Sequence, residues 1–183
     1  MCFRRAPLLA AVFVPFICYA QPATEPPSVF DAFPVPPPGK ELLFYLQRNK
    51  NANAIVYEAR LDQHGQLMAK DPVVVHWIRY TDGGKREGIS IFEDKWAYGV
   101  RHTRTEKGVA RMRFVASNKY PFRVEVAKDG QAEARMMING QYARLRHVEV
   151  QAKESSFLPK VLHVDLYGTV VGTGEEIHER IFP

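Results

Sequence analysis

From Glu41 onward, apolar residues recur at every second position in short runs, and turn-forming residues break the pattern about every ten positions. Strands are expected at Leu42 to Arg48, Ala54 to Leu61, Val73 to Tyr80, Gly99 to Thr105, Ala110 to Ser117, Phe122 to Ala127, Ala132 to Ile138, Gln141 to Gln151, Val161 to Val170 and Glu175 to Phe182. Asp129-Gly130 and Asn139-Gly140 stand between consecutive strands, where a tight primed turn needs residues that accept positive φ. Gly65, Asp82-Gly83-Gly84, Gly108, Asn118 and Gly172 to Gly174 supply the other turns.

Alternation assigns the faces. Phe122, Val124 and Val126 oppose Arg123 and Glu125, and Leu162, Val164 and Leu166 oppose His163, Asp165 and Tyr167, so each strand is expected to have one wet side. The run Val73 to Ile78 is apolar on both faces and needs a cover. Arg86 to Ala97 is the expected cover and the one substantial helix, because Ile89, Phe92, Trp96 and Val100 follow three- and four-residue steps.

About ten antiparallel strands and one short helix give a mainly β domain over 41–183, expected to be barrel-like (calycin-like), since closure removes sheet edges that aggregate. A β-sandwich is the alternative, because both architectures alternate inward and outward residues. Met112, Met136 and Met137 read as core filler.

The residues before this domain have another character. Arg4 and Arg5 precede an apolar run from Leu8 to Ile17 and a Cys18-Tyr19-Ala20 site, the layout of a Sec-type signal peptide over residues 1–20. The run is shorter than the roughly 20 apolar residues of a transmembrane helix. Cleavage near Ala20 predicts a periplasmic or secreted protein without a transmembrane segment. It would also remove Cys2 and Cys18, the only cysteines, and with them any disulfide, thiolate zinc site or cysteine nucleophile. Residues 21–40 hold seven of the thirteen prolines and read as a proline-rich linker, with Phe30 and Phe33 able to pack on the domain.

The formal charge of +5 falls to +3 on loss of Arg4 and Arg5, and the opposite charges are interspersed. Nucleic-acid binding usually needs a larger, clustered excess, so none is expected. Arg111 with Arg113, and Arg144 with Arg146, would form an anion-binding patch if their strands paired, though Glu125 and Glu133 lie between them in sequence and would neutralise it.

No cofactor, phosphate-binding loop or nucleophile elbow is legible. His163 with Asp165, and His178 beside Glu175, Glu176 and Glu179, fall short of a convergent metal set, so no metal is assigned. The candidate ligand-binding residues are Arg48, His76, Arg79, Tyr80 and Tyr98: arginine would hold an anionic group and the aromatics would stack on an apolar body. His76 and Tyr80 share one strand face while Arg79 points to the other, so one cavity takes only a subset. Asn49, Asn51 and Asn53 suit a turn in which side chains bond their own backbone.

The stretch Tyr45 to Glu58 with its asparagines, His76-Trp77-Ile78-Arg79-Tyr80, and Ala97-Tyr98-Gly99 together resemble the bacterial envelope family called domain of unknown function 4833, most closely over Leu43 to Gly99. That resemblance implies an exported single domain and no catalytic residues. Two functions follow from the residues. One is a noncatalytic binding or envelope accessory protein for a small amphipathic or anionic ligand, held inside the barrel, or for a protein partner. The other is a hydrolase or isomerase with His76 as general base, Tyr80 or Glu58 assisting, and Arg48 stabilising negative charge.

Overall fold

Turn chemistry fixes the hairpins. Lys107 and Gly108 (φ 50° and 77°) and Asn139 and Gly140 (φ 45° and 76°) both take the consecutive positive angles of a type I′ turn. At Asp129-Gly130 only the glycine does (φ 83°), and the connection is a longer loop closed by Ala127 and Gln131, not the expected primed turn.

The computed structural model describes residues 29–49, 51–153 and 160–183; the expected signal peptide and the first part of the proline-rich stretch lie outside the described residues. Eleven strands are described: β1 (Leu42–Arg48), β2 (Asn51–Ala59), β3 (Val73–Arg79), β4 (Lys85–Gly88), β5 (Val100–Glu106), β6 (Val109–Phe114), β7 (Pro121–Val126), β8 (Ala132–Ile138), β9 (Gln141–Lys153), β10 (Lys160–Val170) and β11 (Glu176–Ile181). One short helix, α1 (Ile91–Trp96), joins β4 to β5. The fold is mainly β, a curled half-barrel.

Its shape follows from β9. β10 runs antiparallel along one edge of β9 from Ala143 to Lys153. β8 and β1 must therefore share the other edge: β8 pairs over Gln141 to Arg144, and β1 pairs in parallel over His147 to Val150. Two wings, β4-β3-β2-β1 and β8-β7-β6-β5, diverge from that edge. They face each other across the core, since the Phe44 ring on β1 stacks on Tyr57 of β2 at 4.2 Å and meets Phe114 and Phe122, of β6 and β7, edge-on at 5.8 and 5.7 Å. The space between the wings is filled by these rings together with Leu43, Ile55, Val124, Met136 and Leu145.

Several expectations need correction. Arg86 to Ala97 is not one helix: Lys85–Gly88 pairs with β3 as an edge strand, and α1 starts only after Ser90. Ser90 accepts from the Glu93 N–H while the Glu93 carboxylate accepts from the Ser90 N–H, a capping box that the sequence Ser90-Ile91-Phe92-Glu93 carried. Nor does α1 cover β3. Ile91, Phe92 and Trp96 are exposed, and of the stripe only Ile89 and Val100, on either side of α1, pack on the core. The second face of β3 instead joins a small cluster of Ala54, Val56 and Ile78 with Leu42, Tyr45 and Tyr80 against it. Met112 and Met136 are core residues, but Met137 is exposed. Among the expected wet-side residues, Asp165 is only 3% exposed.

The asparagines lie in structure as well as turn. Asn51 accepts from the Asn53 N–H as expected, but Asn49 makes a two-way bond to the Ala152 backbone, and Asn53 accepts from the Thr81 N–H and hydroxyl. The described part of the proline-rich stretch is strapped to the domain. Phe30 is buried with Phe33 edge-on at 5.5 Å, Gln47 Nε2 donates to the Pro34 carbonyl at 2.9 Å, and the Ala132 N–H donates to the Lys40 carbonyl.

Candidate functional site

Strand register writes two polar rows on the outer face of β1, β9, β10 and β11. Tyr45 stands opposite His147, His147 opposite Tyr167, and Tyr167 opposite His178. The rings stack in that order at 4.3, 5.6 and 4.7 Å with interplanar angles of 23°, 23° and 18°. Two residues along each strand, Gln47, Glu149, Asp165 and Arg180 form the second row.

This second row buries charge, which demands partners. Asp165 receives His178 Nε2 at 2.7 Å, Arg180 Nε and Nη2 at 2.8 and 3.2 Å, and has His163 Nε2 at 3.4 Å. Burial alone would raise its pKa, but the hydrogen bonds from Arg180 and His178 outweigh burial and hold the carboxyl below its ordinary value. Glu149 accepts from the Tyr167 hydroxyl at 3.2 Å. Burial, with the Glu149 charge, pushes the Tyr167 phenol up. His147 is lowered to about 4 by burial, so its ring is neutral at pH 7.

Between Arg144 and His147, β9 changes partner from β8 to β1. The diverging strands leave a cleft of about 570 Å³. Tyr45, His147 and Tyr167 line it together with Val35 and Pro36 of the strap; Arg144 and Arg146 bring cationic groups, and Glu149 and Glu176 bring carboxylates. Arg144 Nε and His147 Nε2 are buried polar atoms with no hydrogen-bond partner among the described residues. Gly168 belongs at this point as well: it faces Leu145 where β9 bulges at Arg146, and a Cβ there would fall 2.5 Å from the Arg144 carbonyl oxygen. A smaller recess, about 340 Å³, lies by Val73, Ile89 and Arg101, and Arg101 is there paired with Asp94 at 3.3 Å.

The residues singled out from the sequence fall into two groups on opposite faces. Arg48, Arg79 and Tyr98 gather around Trp77: Arg79 Cζ sits 4.1 Å over the indole, and the Tyr98 ring meets it edge-on at 5.5 Å. Burial raises the Tyr98 pKa against the opposing charges of Arg48 and Arg79. The Tyr98 backbone accepts from the Tyr57 hydroxyl at 2.8 Å, and Arg79 is paired with Glu87 at 3.0 Å. His76 and Tyr80 lie on the outer face. His76 Nδ1 is 3.8 Å from Glu58, whose carboxylate is held by Arg86 at 2.5 Å; His76 Nε2 and the Tyr80 hydroxyl have no hydrogen-bond partner among the described residues. Burial lowers the His76 pKa, and Glu58 opposes this. Neither group lines the large cleft.

Sequence reasoning missed His147, Glu149 and Tyr167. The alternation His163, Asp165, Tyr167 was visible on its own strand, but nothing local shows that β1 pairs in parallel with β9. Among the described residues, no group of three His, Cys, Asp or Glu side chains is placed to hold a metal ion, and no helix is long and apolar enough to cross a membrane.

The family model described as domain of unknown function (DUF4833) matches residues 44–180, so the chain belongs to that family. No curated protein and no solved structure matches it.

Proposed function

We propose that this family member is an exported, noncatalytic binding domain of the bacterial envelope that takes a small amphipathic ligand in the cleft where β8 and β1 diverge from β9. The observation that carries the reading is the composition of that cleft. It has the size of small-molecule sites, and its lining joins apolar strap residues and the stacked rings to Arg144 and Arg146, with the carboxylates of Glu149 and Glu176 also present. An aliphatic or ring body would lie against Val35, Pro36 and Tyr45, and its anionic group would meet Arg146, which is exposed. Export rests on the layout of residues 1–20.

The reading of His76 as general base has one supporting contact, the Glu58 carboxylate that would orient its ring. It has less support than binding, because His76 Nε2 is buried and His76 does not border the cleft.

The test is thermal unfolding of the chain from Gln21 against fatty acids, bile-like amphiphiles and cell-wall fragments. A ligand at about 100 times its Kd stabilises by about 2.7 kcal/mol, which is readily seen as a raised midpoint. Arg146→Gln should weaken that response and leave the unliganded midpoint in place. A panel with no stabilising member, or a response indifferent to Arg146→Gln, overturns the proposal.

A further inference from the structure

The outer face of the other wing carries a row that no single strand reveals. Arg104 of β5 stands opposite Arg111 of β6, Arg111 opposite Arg123 of β7, Arg123 opposite Arg135 of β8, and Arg135 opposite Arg144 of β9. The two arginine-bearing strands noted in the sequence, β6 and β9, are not paired as the patch required. The strands between them add Arg123 and Arg135 and make the row continuous.

Like charges directly opposite one another on a sheet are destabilising. At one end the molecule offsets this itself, with Arg135 gripping Glu125 at 2.5 Å and Glu133 at 2.6 Å, and Arg144 reaching Glu133 at 3.3 Å. At the β5 end Arg104 pairs with Glu106, but between the two ends the molecule supplies no such offset among the described residues. Arg111, Arg113 and Arg123 are exposed and form no ion pair among the described residues. Packing does not require them, because the core side of these strands is supplied by Ala110, Met112, Phe122 and Val124.

We infer that this face binds a linear polycarboxylate, a uronic-acid polymer laid across the strands along the arginine row. Arg111 and Arg123, the two members of the row without an ion pair among the described residues, stand on adjacent strands about 4.8 Å apart, on the scale of one sugar ring. Guanidinium forks suit carboxylates, and the molecule's own Glu133 pairs this way, its Oε2 accepting from both Nε and Nη2 of Arg135. Single-stranded nucleic acid is disfavoured because its binders interleave basic groups with stacking rings, whereas the positions flanking Arg111 and Arg123 along their strands are Val109, Arg113, Pro121 and Glu125. Arg144 also lines the cleft, so the test is confined to Arg111 and Arg123, which do not.

The probes are oligogalacturonate, a thymidine oligonucleotide and phosphatidylglycerol vesicles, titrated into the chain from Gln21 by calorimetry. Oligogalacturonate should bind saturably and more weakly as salt rises, and Arg111→Gln/Arg123→Gln should lose roughly tenfold or more in affinity. Lys70→Gln/Lys85→Gln, the same charge loss at exposed positions elsewhere, should leave it unchanged. Removing opposed like charges should also leave the thermal midpoint of the arginine variant level or raised. No binding, equal binding by the arginine variant, a lowered midpoint, or tighter binding of the oligonucleotide or vesicles overturns the inference.

Discussion

His147→Phe separates the burial of one ring from every other acid-sensitive group. His147 is stacked between Tyr45 and Tyr167, and its side chain is 16% exposed. Its pKa is lowered to about 4 by burial, whereas in the unfolded chain it titrates near the ordinary 6.5. Below pH 6.5 the unfolded chain therefore binds a proton that the folded chain refuses, so stability falls as the pH drops and stops falling near pH 4. At about 1.4 kcal/mol per pH unit, His147 costs the folded state about 2 kcal/mol between about pH 7.5 and about pH 5.

Phenylalanine keeps a flat ring between the two tyrosines and cannot titrate. Denaturant unfolding at the two pH values should show a loss of stability smaller by about 2 kcal/mol in the variant than in the parent. His76, also lowered by burial, adds a slope of the same sign but remains in both proteins and cancels. Asp165 lies outside the window. Its carboxyl is held below 3.8, so its stabilising contribution is present above that pH and is lost only as the pH falls through the lower folded value. Equal pH slopes in parent and variant would refute the placement of a neutral His147 in this stack.

Two further substitutions probe the frame around the cleft. Gly168→Ala would press a methyl to 2.5 Å from the Arg144 carbonyl and 2.8 Å from Ile138 Cδ1, and the overpacking should cost about 1–3 kcal/mol in denaturant unfolding. Tyr57→Phe removes the hydroxyl that donates to the Tyr98 carbonyl at 2.8 Å within the core, and should lower stability by about 1 kcal/mol, a fall of about 2–4 °C in the thermal midpoint.

Local signals carried the strands and failed where partners were distant. β1 and β8 begin and end at the residues that alternation marks, Leu42 to Arg48 and Ala132 to Ile138, because period-two patterning and flanking turns are both properties of a few neighbouring residues. The Arg86 to Ala97 segment misled because Ile89, Phe92 and Trp96 fit a helical stripe, yet Ile89 alone reaches the core and Lys85–Gly88 gains more from pairing with β3. Ser90 and Glu93 held the better signal, a helix start five residues later than the stripe implied. The candidate site divided as strand parity required, with His76 and Arg79 on opposite faces. The cleft itself was not legible, since Tyr45 meets His147 and Tyr167 only through a parallel pairing between strands a hundred residues apart in the chain.

That pairing also explains why the outer surface changes character along β9. Up to Arg144 the strand is bordered by β8, and Arg144 on its outer face ends the arginine row, half-buried and paired with Glu133. From His147 it is bordered by β1, where the proline strap lies, and its outer residues His147 and Glu149 join a stacked row of rings and a buried row of charges. The cleft stands at the handover because two strands leaving one edge in different directions open a gap that neither wing can close with its own side chains. Arg144, Arg146 and the neutral His147 all line that gap. An occupant that accepts hydrogen bonds from the guanidinium groups while presenting apolar surface to Val35 and Pro36 satisfies both borders at once. A purely ionic ligand satisfies only the first, which is why an amphipathic ligand is proposed for this position and a polycarboxylate for the row beyond it.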